Sequence, residues 1–360
     1  MNQPKYQIFS SPGFASWLRR SQISLTFSTY QIGKLFFVGT KSEDRLSVFE
    51  RTFNRVMGLW SDTETFWLAS AFQLWRLDNV LDKGATTEDG YDRLFVPSLA
   101  STTGDIDAHD VAVDREQQLI FVNTLFSCLS SASDSRSFAP FWKPAFITKL
   151  AAEDRCHLNG LACDAGVARF VTACADTDHR QGWRDHRTDG GLVIDVASQE
   201  TVVRGLSMPH SPRVRNGELW LLDSGHGYLG RVDLQSGKFE RVAFCPGYAR
   251  GLTFHDRYAI IGVSRPRENT FSGLPLDAEL AKHQANPICG LQVVDLESGQ
   301  TVEWLQIQGL VEELYDVVVL PGVSRPKALG LQTEEIRHNV WFREGEKTVR
   351  WTAGDSPPRS

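Results

Sequence analysis

The 360-residue sequence lacks most of the signatures that assign a protein to a class. Its six cysteines, Cys128, Cys156, Cys163, Cys174, Cys245 and Cys289, are scattered without CxxC spacing. That argues against a zinc knuckle or a disulfide framework and for reduced thiols. No apolar run reaches the length of a membrane span. The opening stretch MNQPKYQIFSSPGFASWLRR carries no apolar core of a secretory signal. The expected location is therefore cytoplasmic, with no membrane partner. A net charge of −6 gives no reason to expect nucleic acid. There is no P-loop, no GxGxxG after a strand, no GxSxG elbow and no EF-hand loop, so nucleotide, α/β-hydrolase and calcium-loop chemistry lack their usual marks. Helical periodicity is confined to two short stretches, Phe14–Arg20 and Asp277–His283.

What the chain does have is strand signal and repetition. Short β-branched or aromatic segments such as Ile23–Thr26, Lys34–Val38, Leu119–Asn123, Val167–Ala173 and Tyr258–Val263 are mostly bounded by Gly, Asp, Asn or Ser. Five polar clusters each precede a short apolar strand: His109-Asp110, His157-Leu158-Asn159, His210-Ser211-Pro212, Ala249-Arg250 and Tyr315-Asp316. From His109 to His157, His210 and Arg250 the steps are 48, 53 and 40 residues, and a longer step of 66 leads to Asp316 across an insertion. That period suits a β-propeller blade. A second repeat runs out of phase with the first: VIDVASQETVV (193–203), RVDLQSGKFERV (231–242) and VVDLESGQTVEW (293–304). In the last two, Gly237 and Gly299 stand where a hairpin turn needs positive φ. One repeat marks inner strands and the other outer hairpins.

Five inner strands begin near Arg55, His109, His157, His210 and Arg250, and a sixth, Asp316–Leu320, has no outer strands after it. Strands within 23–53 lack an inner partner. Joining the two gives an all-β, six-bladed β-propeller whose ring is closed by the N- and C-terminal segments, which removes exposed sheet edges. Two stacked sandwiches are the competing architecture. The expected division is an N-terminal segment with a short helix (1–22), the propeller (23–326) and a polar tail (327–360).

In a propeller the inner-strand starts share one face with the loops between second and third strands. Long loops of this kind are expected at Leu125–Pro144, Ala175–Asp189 and Ser264–Pro287, with a shorter one at Ser224–Gly230. Their aromatic and arginine content suits a binding surface. His109, His157 and His210 are candidate ligands of a divalent metal, with Asp110, Asn159 and Asp316 as further oxygen partners. The simpler alternative is that each histidine caps backbone or bonds a neighbouring blade. Arg184, Arg213, Arg250, Arg265 and Arg267 form a candidate anion pocket. They could equally pair with Asp110, Asp316 and Glu268 as a structural network.

The segments EDRCHLNGLA (153–162), GWRDHRTDGGLVIDV (182–196), RGLSMPHSPR (204–213), LWLLDSGHGYLGRVD (219–233), ARGLTF (249–254), GVSRPRENTFSGLPL (262–276) and YDVVVLPGV (315–323) resemble an uncharacterised bacterial family of β-propellers known as conserved hypothetical proteins or a domain of unknown function. The resemblance spans roughly Pro12 to Pro326. It implies the propeller fold and brings no activity with it. Its motif residues, among them His157, Asn159, Trp183, Arg184, His210, Arg213, Arg250, Arg265 and Glu268, fall on the face identified above. Six-bladed lactonases and lyases that hold an axial metal offer a looser analogy, at the level of fold alone.

The expected function is binding of a small anionic molecule in a polar axial pocket, with acid–base or metal-assisted lyase, isomerase or hydrolase chemistry. His157 and His210 would act as acid and base, oriented by Asp110 and Asp316. Arg213 and Arg250 would hold the anion, with Asn159, Trp183, Arg184, Arg265, Arg267, Glu268 and His226 completing the site. The alternative is a non-catalytic module that grips a protein or peptide with the same face. A deep funnel favours chemistry and a flat rim favours a partner.

Overall fold

Several inner and middle strands are buried on both faces because each sheet is packed between two others. Lys34–Thr40 is buried along all but its first residue and reads as an apolar run, whereas Ile23–Thr29 is buried throughout although Ser24, Thr26 and Ser28 alternate with its apolar residues. The computed structural model of the chain describes residues 6–41, 45–265, 273–331, 334–345 and 347–352. It is a ring of six antiparallel blades.

From the axis outward, blade 1 comprises Leu59–Ser61, Thr65–Ala69, Gln73–Asn79 and Arg93–Thr102. Blade 2 comprises Ala108–Val113, Leu119–Asn123, Cys128–Ser131 and Ala139–Trp142. Blade 3 comprises Leu158–Asp164, Val167–Ala173, Gly191–Asp195 and Thr201–Leu206. Blade 4 comprises Pro209–Arg215, Glu218–Asp223, Tyr228–Asp233 and Lys238–Phe244. Blade 5 comprises Tyr248–His255, Tyr258–Ser264, Gly290–Asp295 and Gln300–Gly309. Blade 6 takes its inner strand, Leu314–Pro321, from the C-terminal side and Ile23–Thr29, Lys34–Thr40 and Leu46–Thr52 from the N-terminal side. The ring therefore closes as the sequence indicates.

Apolar clusters fill the gaps between neighbouring blades. Phe37 of blade 6 packs at 6.0 and 6.1 Å, centroid to centroid, from Phe66 and Phe95 of blade 1. The helix Phe14–Arg20 buries Phe14, Trp17 and Leu18 in the cluster shared by blades 5 and 6. Gly237 and Gly299 adopt φ of 67° and 69° in the outer hairpins. A Cβ on either would meet a carbonyl of the preceding blade at 2.9 or 2.8 Å, so both turns also need glycine for close approach.

Several expectations need correcting. Leu125–Pro144 is not a long loop: it holds the outer strands Cys128–Ser131 and Ala139–Trp142, whose short, weakly apolar pattern hides them. Two blades gain a fifth strand. Tyr6–Ser10 pairs with Gln300–Gly309, and Pro326–Ala328 runs parallel to Arg93–Thr102. The C-terminal tail contains a hairpin, Val340–Glu344 with Lys347–Trp351. The second helix is Leu276–Lys282, one residue earlier than its periodicity suggests.

The polar clusters coincide with β-bulges. In blades 2 to 6 the innermost strand carries one residue more than its partner, at 108–111, 158–160, 210–213, 249–252 and 314–317. A bulge re-aims side chains that an ordinary strand would send to opposite faces. Asp110 of blade 2, Arg213 of blade 4 and Asp316 of blade 6 thereby meet at the axis. Arg213 Nη1 donates to Asp110 Oδ2 at 2.8 Å, and Nη2 lies 3.5 Å from Asp316 Oδ1. Each of the three also bonds the next blade's backbone. Asp110 accepts from Leu161 N (3.0 Å), Asp316 accepts from Leu59 N (2.8 Å), and Arg213 Nε donates to Leu252 O (3.1 Å). The hub thus touches all six blades.

Burial pushes the Asp316 carboxyl up to about 7 despite Arg213, because Asp110 shares the same guanidinium. Replacing Arg213 with Met should cost about 3 to 5 kcal/mol in urea denaturation, since two buried carboxylates lose their cation. Adding Asp110→Asn and Asp316→Asn should restore most of that loss.

Candidate functional site

On the face where the inner strands begin, a cavity of about 620 Å³ opens over the axis. His109, His157, Arg250 and Tyr315 line it from the starts of four inner strands, with Tyr30 beside them and Trp183 overhanging. A second cavity of about 320 Å³, lined by Arg213, Leu161, Leu252 and Val317 among others, lies toward the opposite end of the same strands. Asp110 and Asp316 each follow a residue of the first cavity, His109 and Tyr315, and precede a residue of the second, Val111 and Val317.

Backbone geometry sets the imidazoles. Asp107 and Met208 have φ of 54° and 48°, and each turns its carbonyl back to the histidine two residues on. His109 Nδ1 donates to Asp107 O at 2.9 Å, and His210 Nδ1 donates to Met208 O at 2.8 Å. A carbonyl only accepts, so in both rings the hydrogen sits on Nδ1. Thr124 Oγ1 lies 2.8 Å from His109 Nδ1 and donates its own hydrogen to Leu158 O.

His157 is held differently. It has φ of 50°, and its Nδ1 donates to Asp154 Oδ2 at 3.0 Å. The Trp183 indole donates to the same oxygen at 2.9 Å and stacks on the His157 ring at 4.2 Å. His109 meets the His157 ring edge-on at 4.8 Å. Among the described residues, neither His109 Nε2 nor His157 Nε2 has a hydrogen-bond partner, and both rings line the cavity.

Arg250 supplies the positive field. Its guanidinium lies 5.0 Å from the ring centres of Tyr248 and Tyr315, and Nη1 donates to buried Glu313 at 2.8 Å. Tyr30 stacks on Tyr315 at 5.6 Å. Burial, with help from His157 and Arg250, pushes His109 down to about 4 against the pull of Asp107. Burial and Arg250 hold His210 well below the usual histidine range. Burial alone would raise the Asp154 carboxyl, but the His157 ring and the indole N–H outweigh it and hold it below its ordinary value. The cavity therefore presents a neutral imidazole, a carboxylate-backed imidazole and a guanidinium. That set can accept a proton and stabilise an anion.

Of the residues expected at the site, His109, His157, Arg250, Trp183 and Arg184 line the cavity. His210 and Asn159 do not. His210 Nε2 lies 3.4 Å from the Asn159 amide, whose oxygen accepts from Thr172, so both nitrogens of His210 are engaged. Asp110 and Asp316 orient no histidine, and Arg213 holds them instead of an anion; the ion-pair network accounts for all three. His226 turns to Asp223 Oδ2 at 2.8 Å, away from the cavity lining. Arg265 also lies outside the lining, and Arg267 and Glu268 lie outside the described residues. His109, His157 and His210 do not converge as a ligand set, and no group of three His, Cys, Asp or Glu side chains among the described residues does.

Asp154, Asp107, Glu313 and Tyr30 escaped the sequence reading. The signal for Asp154 is its place three residues before His157, which only a tight left-handed turn converts into contact. No helix among the described residues is long and apolar enough to cross a membrane.

The fold and this cavity define a six-bladed propeller with a polar axial site. More specifically, the chain belongs to the family described as a domain of unknown function, DUF4915, whose model matches residues 12–329. No curated protein matches it. Among solved structures it is similar in fold to a chain of a nidogen/laminin complex (TM-score 0.51, 11% identity, covering 84% of this chain and 99% of that one). A catalytically inactive variant of virginiamycin B lyase from Staphylococcus aureus, with quinupristin, aligns at TM-score 0.39 and 10% identity, over 84% and 99% of the two chains.

The depressed His109 value has a sign. Unfolded chain takes up the proton near 6.5 and the folded ring only near 4, so the ring's contribution is complete above pH 6.5 and disappears as pH falls to 4. Asp316, whose value is raised to about 7, works the opposite way throughout that window. His109→Gln isolates the first effect. Between pH 7 and 4 the variant should lose up to about 3 kcal/mol less stability than the wild type, read from urea midpoints.

Proposed function

We propose that the axial cavity binds a small anionic molecule and performs acid–base chemistry on it, of the isomerase or lyase kind. The observation that carries this reading is His157, fixed by Asp154 through Nδ1 with Nε2 open to the cavity. A carboxylate-oriented imidazole is suited to take a proton from a carbon next to an acid group. Arg250 would stabilise the negative charge that remains, and His157 would return the proton to the same molecule at a second position or with loss of a leaving group. Arg184, over Trp183 at 4.5 Å, lies at the rim where an incoming anion first meets charge. A cavity of about 620 Å³ with two imidazoles in its lining favours a small molecule over a flat protein partner. The six cysteines are all free, in keeping with a cytoplasmic setting.

The test combines a melting screen of small carboxylates and phosphates with deuterium exchange from solvent into the acids that bind. At least one acid should raise the melting temperature of the wild type and exchange a carbon-bound hydrogen. His157→Gln should keep the binding and lose exchange at least a hundredfold, and Arg184→Ala should weaken binding severalfold. A screen in which no acid shifts the melt, or exchange that persists in His157→Gln, refutes the assignment.

A further inference from the structure

The donors and acceptors around the cavity are unevenly distributed. One wall offers acceptors: His109 Nε2, His157 Nε2 and the Asp107 carboxylate, whose Oδ1 is itself shut off from the cavity with no partner among the described residues. A ligand must bring hydrogen-bond donors to that wall. The Tyr315 hydroxyl, in a residue only 5% exposed, is likewise buried without a partner. Arg250 supplies positive charge beside it. The donors on the acceptor wall cannot readily be ammonium groups. Burial keeps His109 itself neutral there against the pull of Asp107, and the same burial disfavours an ammonium group on that wall.

Stacking is also largely used up. Trp183 has His157 at 4.2 Å and Arg184 at 4.5 Å from its ring, too close for both to share one face. Tyr315 is engaged by Tyr30 and Arg250. A flat aromatic ligand such as a nucleobase would find no uncovered ring of this pair, so recognition falls to hydrogen bonds. A volume of about 620 Å³ lies within the range of small-molecule sites.

We infer that the ligand is a sugar acid, with neighbouring hydroxyls donating to His109 and Asp107, His157 left to take the carbon-bound proton, and a carboxylate facing Arg250 and Arg184. This rests on the acid–base reading above and adds the substrate class. The acid could be free or the end of an acidic oligosaccharide.

Titration calorimetry on the full chain tests it with D-glucuronate, D-galacturonate, a galacturonate dimer, D-glucose and succinate. At least one sugar acid should bind, and glucose and succinate should bind at least tenfold more weakly. His109→Phe keeps a ring against His157 but removes the acceptor. It should weaken the sugar acid about tenfold and leave succinate unchanged. Should that variant fail to fold, His109→Leu, which also removes the acceptor without changing the charge, carries the same expectation. The dimer against the monomer separates the two sources, and preference for either supports the class. Succinate or glucose binding as tightly as the sugar acids overturns the class while leaving the acid–base cavity standing. No binding by any acid of the panel overturns both.

Discussion

One guanidinium organises this molecule. Arg213 sits where three alternate blades converge and is shared by two buried carboxylates. Those three side chains reach the backbone of the other three blades. A propeller has no central core, since apolar packing lies between blades and the axis would otherwise be open. The hub replaces a core at the axis with charge, and that arrangement is stable only while it is complete. Hydroxyls reinforce it from blade to blade. Thr124, Ser224, Ser264 and Ser28 each donate to the carbonyl at the start of the next inner strand. The cavity depends on the hub, because the bulged strand that aims His109 also delivers Asp110.

The cavity works on a different electrostatic principle. Its arginine, Arg250, lies between tyrosine rings and against Glu313, one layer above the hub. Burial, with a smaller push from the Arg250 charge, keeps His109 and His210 neutral. A neutral imidazole accepts hydrogen bonds, so burial leaves His109 an acceptor on the cavity wall. His157 differs because Asp154 is bonded directly to it. The two histidines in contact are therefore unequal, one tied to a carbonyl and one to a carboxylate, as acid–base sites commonly arrange their groups.

The ring was legible in the sequence because its two repeats report different things. The polar clusters mark bulged inner strands, and the Asp-x-x-Ser-Gly turns mark outer hairpins with a glycine at positive φ. Strands that exist only by adding to another sheet's edge, at 6–10 and 326–328, carry no such mark. The site was legible to the level of a face. Sequence placed Arg213 and Arg250 in equivalent settings, and His109 beside Asp110, but could not separate the layers. Arg213 ends its bulge, at the place Leu252 takes in blade 5, and reaches the hub, while Arg250 stands inside its bulge, at the place of Ser211, and stays at the cavity. Asp154 was invisible because it lies in a turn that belongs to neither repeat. Four of the blade-to-blade hydroxyls were in plain view in FVNT, LLDS, GVS and LTFS, at the ends of second strands, and their periodicity is the signal that went unused.

Bare Nε2 atoms facing the axial cavity are the central feature of the site. Nitrogen-15 spectra of the imidazoles at neutral pH read this directly. His109 should carry its single hydrogen on Nδ1, with Nε2 unprotonated. The Nδ1 hydrogen of His157 should be shifted far downfield by Asp154 and lose that shift in Asp154→Asn. A His109 ring protonated on Nε2, or a His157 resonance indifferent to Asp154, would contradict the account.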